Sequence, residues 1–138
     1  MFSMQCTVER QLSVAIENQP GRLAAVCRLL AAHAINIRDL TVVDNIEQGM
    51  IRFIPSNPAL CRSLLVREGL CVVEADVLVM ILKDLPGQLG RIAEALGHAG
   101  INIDYAYGTE DSSEREMRVV LKVSSLPGAR AVVEGLEP

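Results

Sequence analysis

The sequence has 138 residues, half of them apolar and 3% aromatic, so we expect one domain or two very small ones with an aliphatic core. Thirteen basic and 17 acidic side chains give a formal charge of −4, which argues against a nucleic acid or an anionic membrane as partner. No apolar run approaches the roughly 20 residues that span a bilayer. Residues 1–11 lack the pattern of a signal peptide, so the cytoplasm is the expected location.

The first predicted element is a strand within an N-terminal extension, residues 1–10. Apolar Met4, Cys6 and Val8 alternate there with polar side chains, which is the period of a β-strand. The extension precedes a longer pattern that occurs twice in the chain.

That pattern occurs first in residues 11–75. The expected elements are a strand at 12–16, a helix at 23–34, strands at 35–43 and 50–54 around a turn at 45–49, a helix at 57–69 and a strand at 71–75. Pro20-Gly21 breaks the first strand, Asn57 is the expected N-cap of the second helix, and Gly69 ends that helix. The order β-α-β-β-α-β predicts an α+β, ferredoxin-like module.

The pattern returns 66 residues later, in residues 76–138. Matching positions are Leu12 and Leu78, Pro20-Gly21 and Pro86-Gly87, Leu30 and Leu96, residues 35–37 and 101–103, and residues 68–70 and 134–136. Residues 77–82 are apolar throughout, which predicts a strand buried on both faces. The second copy has a charged hairpin tip at 110–118 and ends soon after Leu136, so it lacks a last strand of its own. Our hypothesis is that residues 4–10 fill the vacant edge, within the chain or across a dimer.

The Pro-Gly turn before the first helix of each copy is the most informative candidate site. Glycine allows a ligand to approach the backbone closely, and the N-terminus of a helix favours an anion such as a carboxylate. Asn36 and Asn102 start the next strand, and an amide suits the polar groups of a zwitterion. The alternative is structural, with Pro-Gly as a helix start and each asparagine as a turn residue.

These residues resemble the ACT domain family. In the first copy the resemblance is carried by Leu12-Ser13-Val14, Glu17-Asn18, Pro20-Gly21, Leu23, Val26, Leu29, Asn36-Ile37 and Leu40-Thr41-Val42. In the second it is carried by residues 84–89 and 100–103. The first copy is especially similar to the regulatory small subunit of acetolactate synthase, although the C-terminal domain of that subunit is not evident here.

The resemblance implies two modules, residues 11–75 and 76–138, with sheets paired side by side and an amino acid bound at the interface between modules. The implied ligand-binding residues are Asn18, Gln19, Pro20, Gly21, Arg22, Leu23, Asn36 and Ile37, and in the second copy Asp84, Leu85, Pro86, Gly87, Gln88, Leu89, Asn102 and Ile103. Asp84 replaces Asn18, so the two sites need not be equally competent. The expected protein is a non-catalytic regulator, a homodimer, with an amino-acid metabolic enzyme as a possible partner.

The sequence leaves one main alternative function and disfavours two others. A structural or regulatory partner subunit without a ligand of its own is the main alternative. Catalysis is disfavoured because no nucleophile stands beside a plausible base, and RNA binding is disfavoured because Phe53 is the one aromatic side chain on the strands that would stack bases. Cys6, Cys27, Cys61 and Cys71 stand at no metal-ligand spacing, so we expect reduced thiols, no metal and no cofactor.

Overall fold

The computed structural model describes residues 4–45, 48–111, 113 and 115–137. Within them the elements are β1 (Cys6–Glu17), α1 (Arg22–Ala32), β2 (Ile37–Asn45), β3 (Gln48–Pro55), α2 (Pro58–Arg67), β4 (Val72–Lys83), α3 (Gln88–His98), β5 (Ile103–Asp111), β6 (Glu116–Val123) and α4 (Leu126–Glu134). Residues 46–47 of the turn predicted at 45–49, residues 112 and 114 of the predicted hairpin tip, and residues 1–3 of the extension lie outside the described residues.

The elements form two compact units. We call residues 10–75 the first unit, and the described parts of residues 1–9 and 76–138 the second unit. β1 and β4 are 12 residues long, and each contributes one part to each unit. The predicted α+β class with tandem β-α-β-β-α-β modules is confirmed, but the separate strands predicted at 4–10 and 12–16, and at 71–75 and 77–82, are continuous.

The first unit is an antiparallel sheet with two helices on one face. Its strand order is β2-β3-β1-β4, with Leu12 opposite Phe53 and Glu17 opposite Gln48. The core between sheet and helices contains Leu12, Val14, Ile16, Val26, Leu30, Ile35, Ile51, Phe53, Cys61, Leu64 and Leu65. Helix α1 buries Val26 and Leu30 in this core. Helix α2 buries Cys61, Leu64 and Leu65. Buried side chains of the alternating strand positions thus pack against one face of each helix.

The second unit has the same arrangement, with strand order β1-β4-β6-β5. Its core contains Leu78, Met80, Leu82, Ile92, Leu96, Val119, Leu121, Val123, Ala129 and Val133 together with Met4, which is 3% exposed. Met4 N–H donates to the Leu136 carbonyl at 3.2 Å, and Ile81 N–H donates to the Gln5 carbonyl at 3.4 Å. The start of β1 therefore lies beside β4 and packs with the second unit.

The middle of β4 is buried on both faces, as its continuous apolar run predicts. Val77, Leu78, Val79, Met80 and Leu82 are each at most 2% exposed. In the part of the chain that the structure describes, no helix is long and apolar enough to cross a membrane.

Candidate functional site

The two Pro-Gly turns have the same backbone geometry. Gly21 has φ 87° and ψ −9°, and Gly87 has φ 88° and ψ −7°, and each is the N-cap of an 11-residue helix. The first turn is closed by Arg22 N–H donating to the Gln19 carbonyl at 3.3 Å, and the second by the equivalent bond from Gln88. Because side chains with a Cβ rarely adopt this left-handed conformation, glycine is required by the turn itself.

Helices α1 and α3 begin without a capping side chain, unlike the other two helices. Asn57 Oδ1 accepts from Leu60 N–H at 3.2 Å at the start of α2, and Ser125 Oγ accepts from Gly128 N–H at 3.3 Å at the start of α4. Among the described residues, no side chain caps α1 or α3, and no acidic residue lies in their first turns. The free N–H groups and the positive end of the helix dipole therefore favour an anion at these two helix starts.

The two turns differ in their side chains. Asn18 Nδ2 donates to Asp44 Oδ1 at 2.9 Å, and Arg22 Nη2 lies 3.1 Å from Glu17 Oε2, so the first turn carries a guanidinium beside the helix start. In the second turn Asp84 takes the position of Asn18, and its backbone N–H donates to the Arg115 carbonyl at 2.9 Å. The first turn is therefore better suited to a carboxylate ligand.

A cavity of about 300 Å³ lies beside the first turn, entirely within the first unit. It is bounded by the end of β1, by α1 and by the turn that follows α2. Its lining residues are Ile16, Glu17, Arg22, Ala25, Val26, Leu29, Glu68 and Leu70. Five of the eight lining side chains are apolar, and the other three, Glu17, Arg22 and Glu68, are charged. Such a cavity accommodates a small ligand with both charged and aliphatic parts.

Arg22 is the one predicted site residue that lines this cavity. The other members of the turn are exposed at the helix start, with Leu23 37% exposed. In the second turn Leu85 and Leu89 are 58% and 40% exposed. The turns are thus accessible to a ligand, and apolar side chains stand next to them.

Asn36 lies at the other end of the first unit from the Pro-Gly turn. The register places Ile37 opposite Pro55, whereas Glu17, just before the turn, is opposite Gln48. Within the unit, the structure does not bring Asn36 and Ile37 together with residues 18–23. Asn102 and Ile103 are placed in the same way, because Ile103 is opposite Val123 while Lys83 is opposite Glu116.

The backbone of each asparagine instead connects two elements. Asn36 N–H donates to Ser56 Oγ at 2.9 Å, and Ser56 N–H donates to the Asn36 carbonyl at 2.8 Å. Asn102 and Ser124 form the same reciprocal pair, with both distances 2.9 Å. These bonds join the start of β2 and of β5 to the segment just before the second helix of their unit, which is a structural role.

Sequence reasoning missed the other seven lining residues as parts of a site, namely Ile16, Glu17, Ala25, Val26, Leu29, Glu68 and Leu70. A signal was available, because the 66-residue offset aligns the small Ala25 with the large Arg91. Among the described residues, no three His, Cys, Asp or Glu side chains are grouped so that they could hold a metal ion.

Comparison with known proteins places the chain in a family. The family model of the ACT domain pair matches residues 6–120. Among solved structures, a protein from Bacteroides thetaiotaomicron is 29% identical, with a TM-score of 0.85 over 92% of this chain and 87% of that chain. No curated protein sequence matches the chain significantly.

Two regulatory subunits of aspartate kinase share the fold at lower identity. The subunit from Thermus thermophilus is 17% identical, with a TM-score of 0.69 over 95% of this chain and 94% of that chain. The subunit from Thermus flavus is 18% identical, with a TM-score of 0.65 over 94% of this chain and 96% of that chain. Since the family model covers most of the sequence, the chain belongs to the ACT domain pair family.

Proposed function

We propose that the protein is a non-catalytic regulator that binds an amino acid, with the ligand's α-carboxylate at the start of α1. The observation that carries the proposal is the uncapped, left-handed Gly21 start of α1, which leaves backbone donors available beside Arg22. A carboxylate there accepts hydrogen bonds from the helix N-terminus, and the cavity adjoining Arg22 offers room for the rest of the ligand. The start of α3 is the second, weaker candidate because Asp84 adds a negative charge to its turn.

Regulation is supported by the family and by the shared fold with regulatory subunits of aspartate kinase. The proposed partner is an enzyme of amino-acid metabolism whose activity depends on the liganded state. Such a signal requires that the amino acid bind one conformation of the protein more tightly than another. The alternative is a partner subunit that binds an enzyme similar to acetolactate synthase and has no ligand of its own.

Thermal unfolding with each of the twenty amino acids, followed by calorimetry, separates these two functions. A ligand present at a hundredfold excess over its Kd stabilises the protein by about 2.7 kcal/mol. A stabilising amino acid supports the regulator, whereas no shift with any amino acid supports the ligand-free subunit.

Ala24→Asp is expected to weaken amino-acid binding without harming the fold. Ala24 is an exposed residue in the first turn of α1, where a carboxylate stabilises the helix by about 0.3–1 kcal/mol. The same carboxylate repels the α-carboxylate of the ligand at that helix start by on the order of 1 kcal/mol, or about fivefold in Kd. Calorimetry on the variant measures the loss.

The matched control is Ala59→Asp, which places the same charge in the first turn of α2, a helix already capped by Asn57. It should leave the Kd unchanged. If Ala24→Asp binds the amino acid as tightly as the wild type does, the ligand's carboxylate does not lie at the start of α1, whatever else the protein binds.

We also propose that the protein forms a homodimer through the edge strand β2. Leu40, Val42 and Val43 are 45%, 48% and 44% exposed on this strand, which is the outer strand of the first unit. An apolar edge strand is commonly covered by a partner. The double variant Leu40→Lys with Val42→Lys should therefore sediment as a monomer. If it still has the molecular mass of a dimer, the interface does not involve this face of β2. The matched control, Val73→Lys, changes a 59%-exposed side chain outside β2.

A further inference from the structure

The cavity beside α1 has a counterpart position beside α3 in the second unit, and Arg91 occupies that position. We infer that the first unit binds the aliphatic side chain and ammonium group of one amino acid in this cavity, and that Arg91 removes the equivalent site from the second unit. This inference rests on the function proposed above. It makes the ligand a small aliphatic amino acid, bound once per chain.

The backbones around the two positions are equivalent. Ala25 N–H donates to the Gly21 carbonyl at 2.9 Å, and Arg91 N–H donates to the Gly87 carbonyl at 2.9 Å. Each residue is the fourth of an 11-residue helix that starts at a left-handed glycine. The two side chains therefore leave their helices in the same direction relative to their own unit.

Arg91 extends from α3 to the segment that follows α4. Its Nη2 donates to the Glu137 carbonyl, and Glu137 occupies the position that Cys71 has in the first repeat. Its Nε is buried and has no hydrogen-bond partner among the described residues. The guanidinium of Arg91 thus lies between α3 and the segment that follows α4. The corresponding place in the first unit, between α1 and the turn after α2, is the cavity beside Leu70.

The cavity of the first unit has a charge pattern that matches a zwitterion. The Glu68 carboxylate makes no ion pair or side-chain hydrogen bond with the described residues, so it is available to an ammonium group. Arg22 also lines the cavity and lies at the start of α1, where the ligand's carboxylate is placed. Glu17 lies 3.1 Å from Arg22 and holds that guanidinium at the cavity.

The remaining walls select the ligand's side chain. Ile16, Val26, Leu29 and Leu70 are aliphatic, and Ala25 adds a methyl group. Burial against such walls is worth about 0.8 kcal/mol for each CH₂ group of the ligand. A volume of about 300 Å³ is at the lower limit for ligand pockets, which favours a small ligand.

The test is calorimetry of the full chain with alanine, valine, leucine and isoleucine, and with lysine, glutamate and phenylalanine as ligands outside the class. The wild type should bind at least one of the first four at one ligand per chain. Ala25→Arg, which copies the second repeat, should weaken binding at least about tenfold, or ~1.4 kcal/mol. Ala25→Leu fills the same space with an uncharged side chain and should act in the same direction.

Arg91→Ala is the matched control, because it makes the reverse change in the other repeat and should leave the first-unit Kd unchanged. Wild-type affinity in both Ala25 variants would overturn the cavity assignment while the proposed regulator stands. Two ligands per wild-type chain, or preference for lysine, glutamate or phenylalanine, would also overturn it. If no amino acid binds the wild type, the proposed function and this inference both fail. Circular dichroism melts of all variants confirm that each is folded.

Discussion

A chain that lacks residues 1–9 is expected to lose several kcal/mol of unfolding free energy relative to the full chain. Met4 is 3% exposed in the core of the second unit, and truncating a buried methionine to alanine costs about 2–5 kcal/mol. The deletion also removes the part of β1 beside β4, which leaves an unpaired strand edge in the second unit. It removes Glu9 as well, whose Oε2 lies 2.8 Å from Arg118 Nη2.

Urea denaturation followed by circular dichroism measures this loss. Met4→Ala should reproduce part of it, whereas Val8→Ala, at a side chain 38% exposed, should stay within about 0.5 kcal/mol of the wild type. If the shortened chain unfolds at the same urea concentration as the full chain, residues 4–9 are not the last strand of the second unit.

Cys61 is expected to react with thiol reagents orders of magnitude more slowly than Cys71 in the folded protein. Cys61 is 0% exposed, and burial raises the pKa of its thiol to about 11, whereas Cys71 is exposed. Only an accessible thiolate attacks the reagent, so Cys61 reacts only when the first unit opens transiently. Mass spectrometry after timed alkylation at pH 8, with and without urea, compares the two rates. Equal rates without urea would show that α2 does not bury Cys61.

Ionisation of the Cys61 thiol makes the free energy of unfolding depend on pH in the alkaline range. Its folded-state pKa is raised above the ordinary value of 9.0, so its contribution to stability is fully present below about pH 9. That contribution decreases as pH rises from about 9 towards 11, because the unfolded chain ionises first. Cys61→Ala should remove this part of the alkaline slope in urea midpoints measured between these pH values.

The repeat and its elements are predictable from sequence because they depend on local patterns. Apolar alternation, helical stripes and the Pro-Gly and Asn57-Pro58 starts each involve residues close in the chain, and they recur at one offset. The length of β1 is harder to predict. Met4, Cys6, Val8, Leu12, Val14 and Ile16 are all at even positions, so they share one strand period, but Arg10 interrupts the apolar pattern.

The candidate site is only partly predictable for a different reason. The Pro-Gly turn is a local feature, whereas Glu17 and Glu68 meet at one cavity only because the turn after α2 packs beside the end of β1. Asn36 follows the far end of α1, and 11 helical residues separate the two ends of that helix by roughly 16 Å. Closeness in sequence to a helix therefore said nothing about closeness to its N-terminus.

The hydrogen bond from Met4 to Leu136 has a consequence for how the chain can be rearranged. In the second unit the strand beside β4 comes first in the sequence, so this unit is a circular permutant of the first. Cutting the chain between residues 75 and 76 would divide β4 and leave the second half without residues 4–9. A gene in which residues 4–9 are moved behind residue 137 by a short linker would instead encode two modules that are each contiguous in sequence.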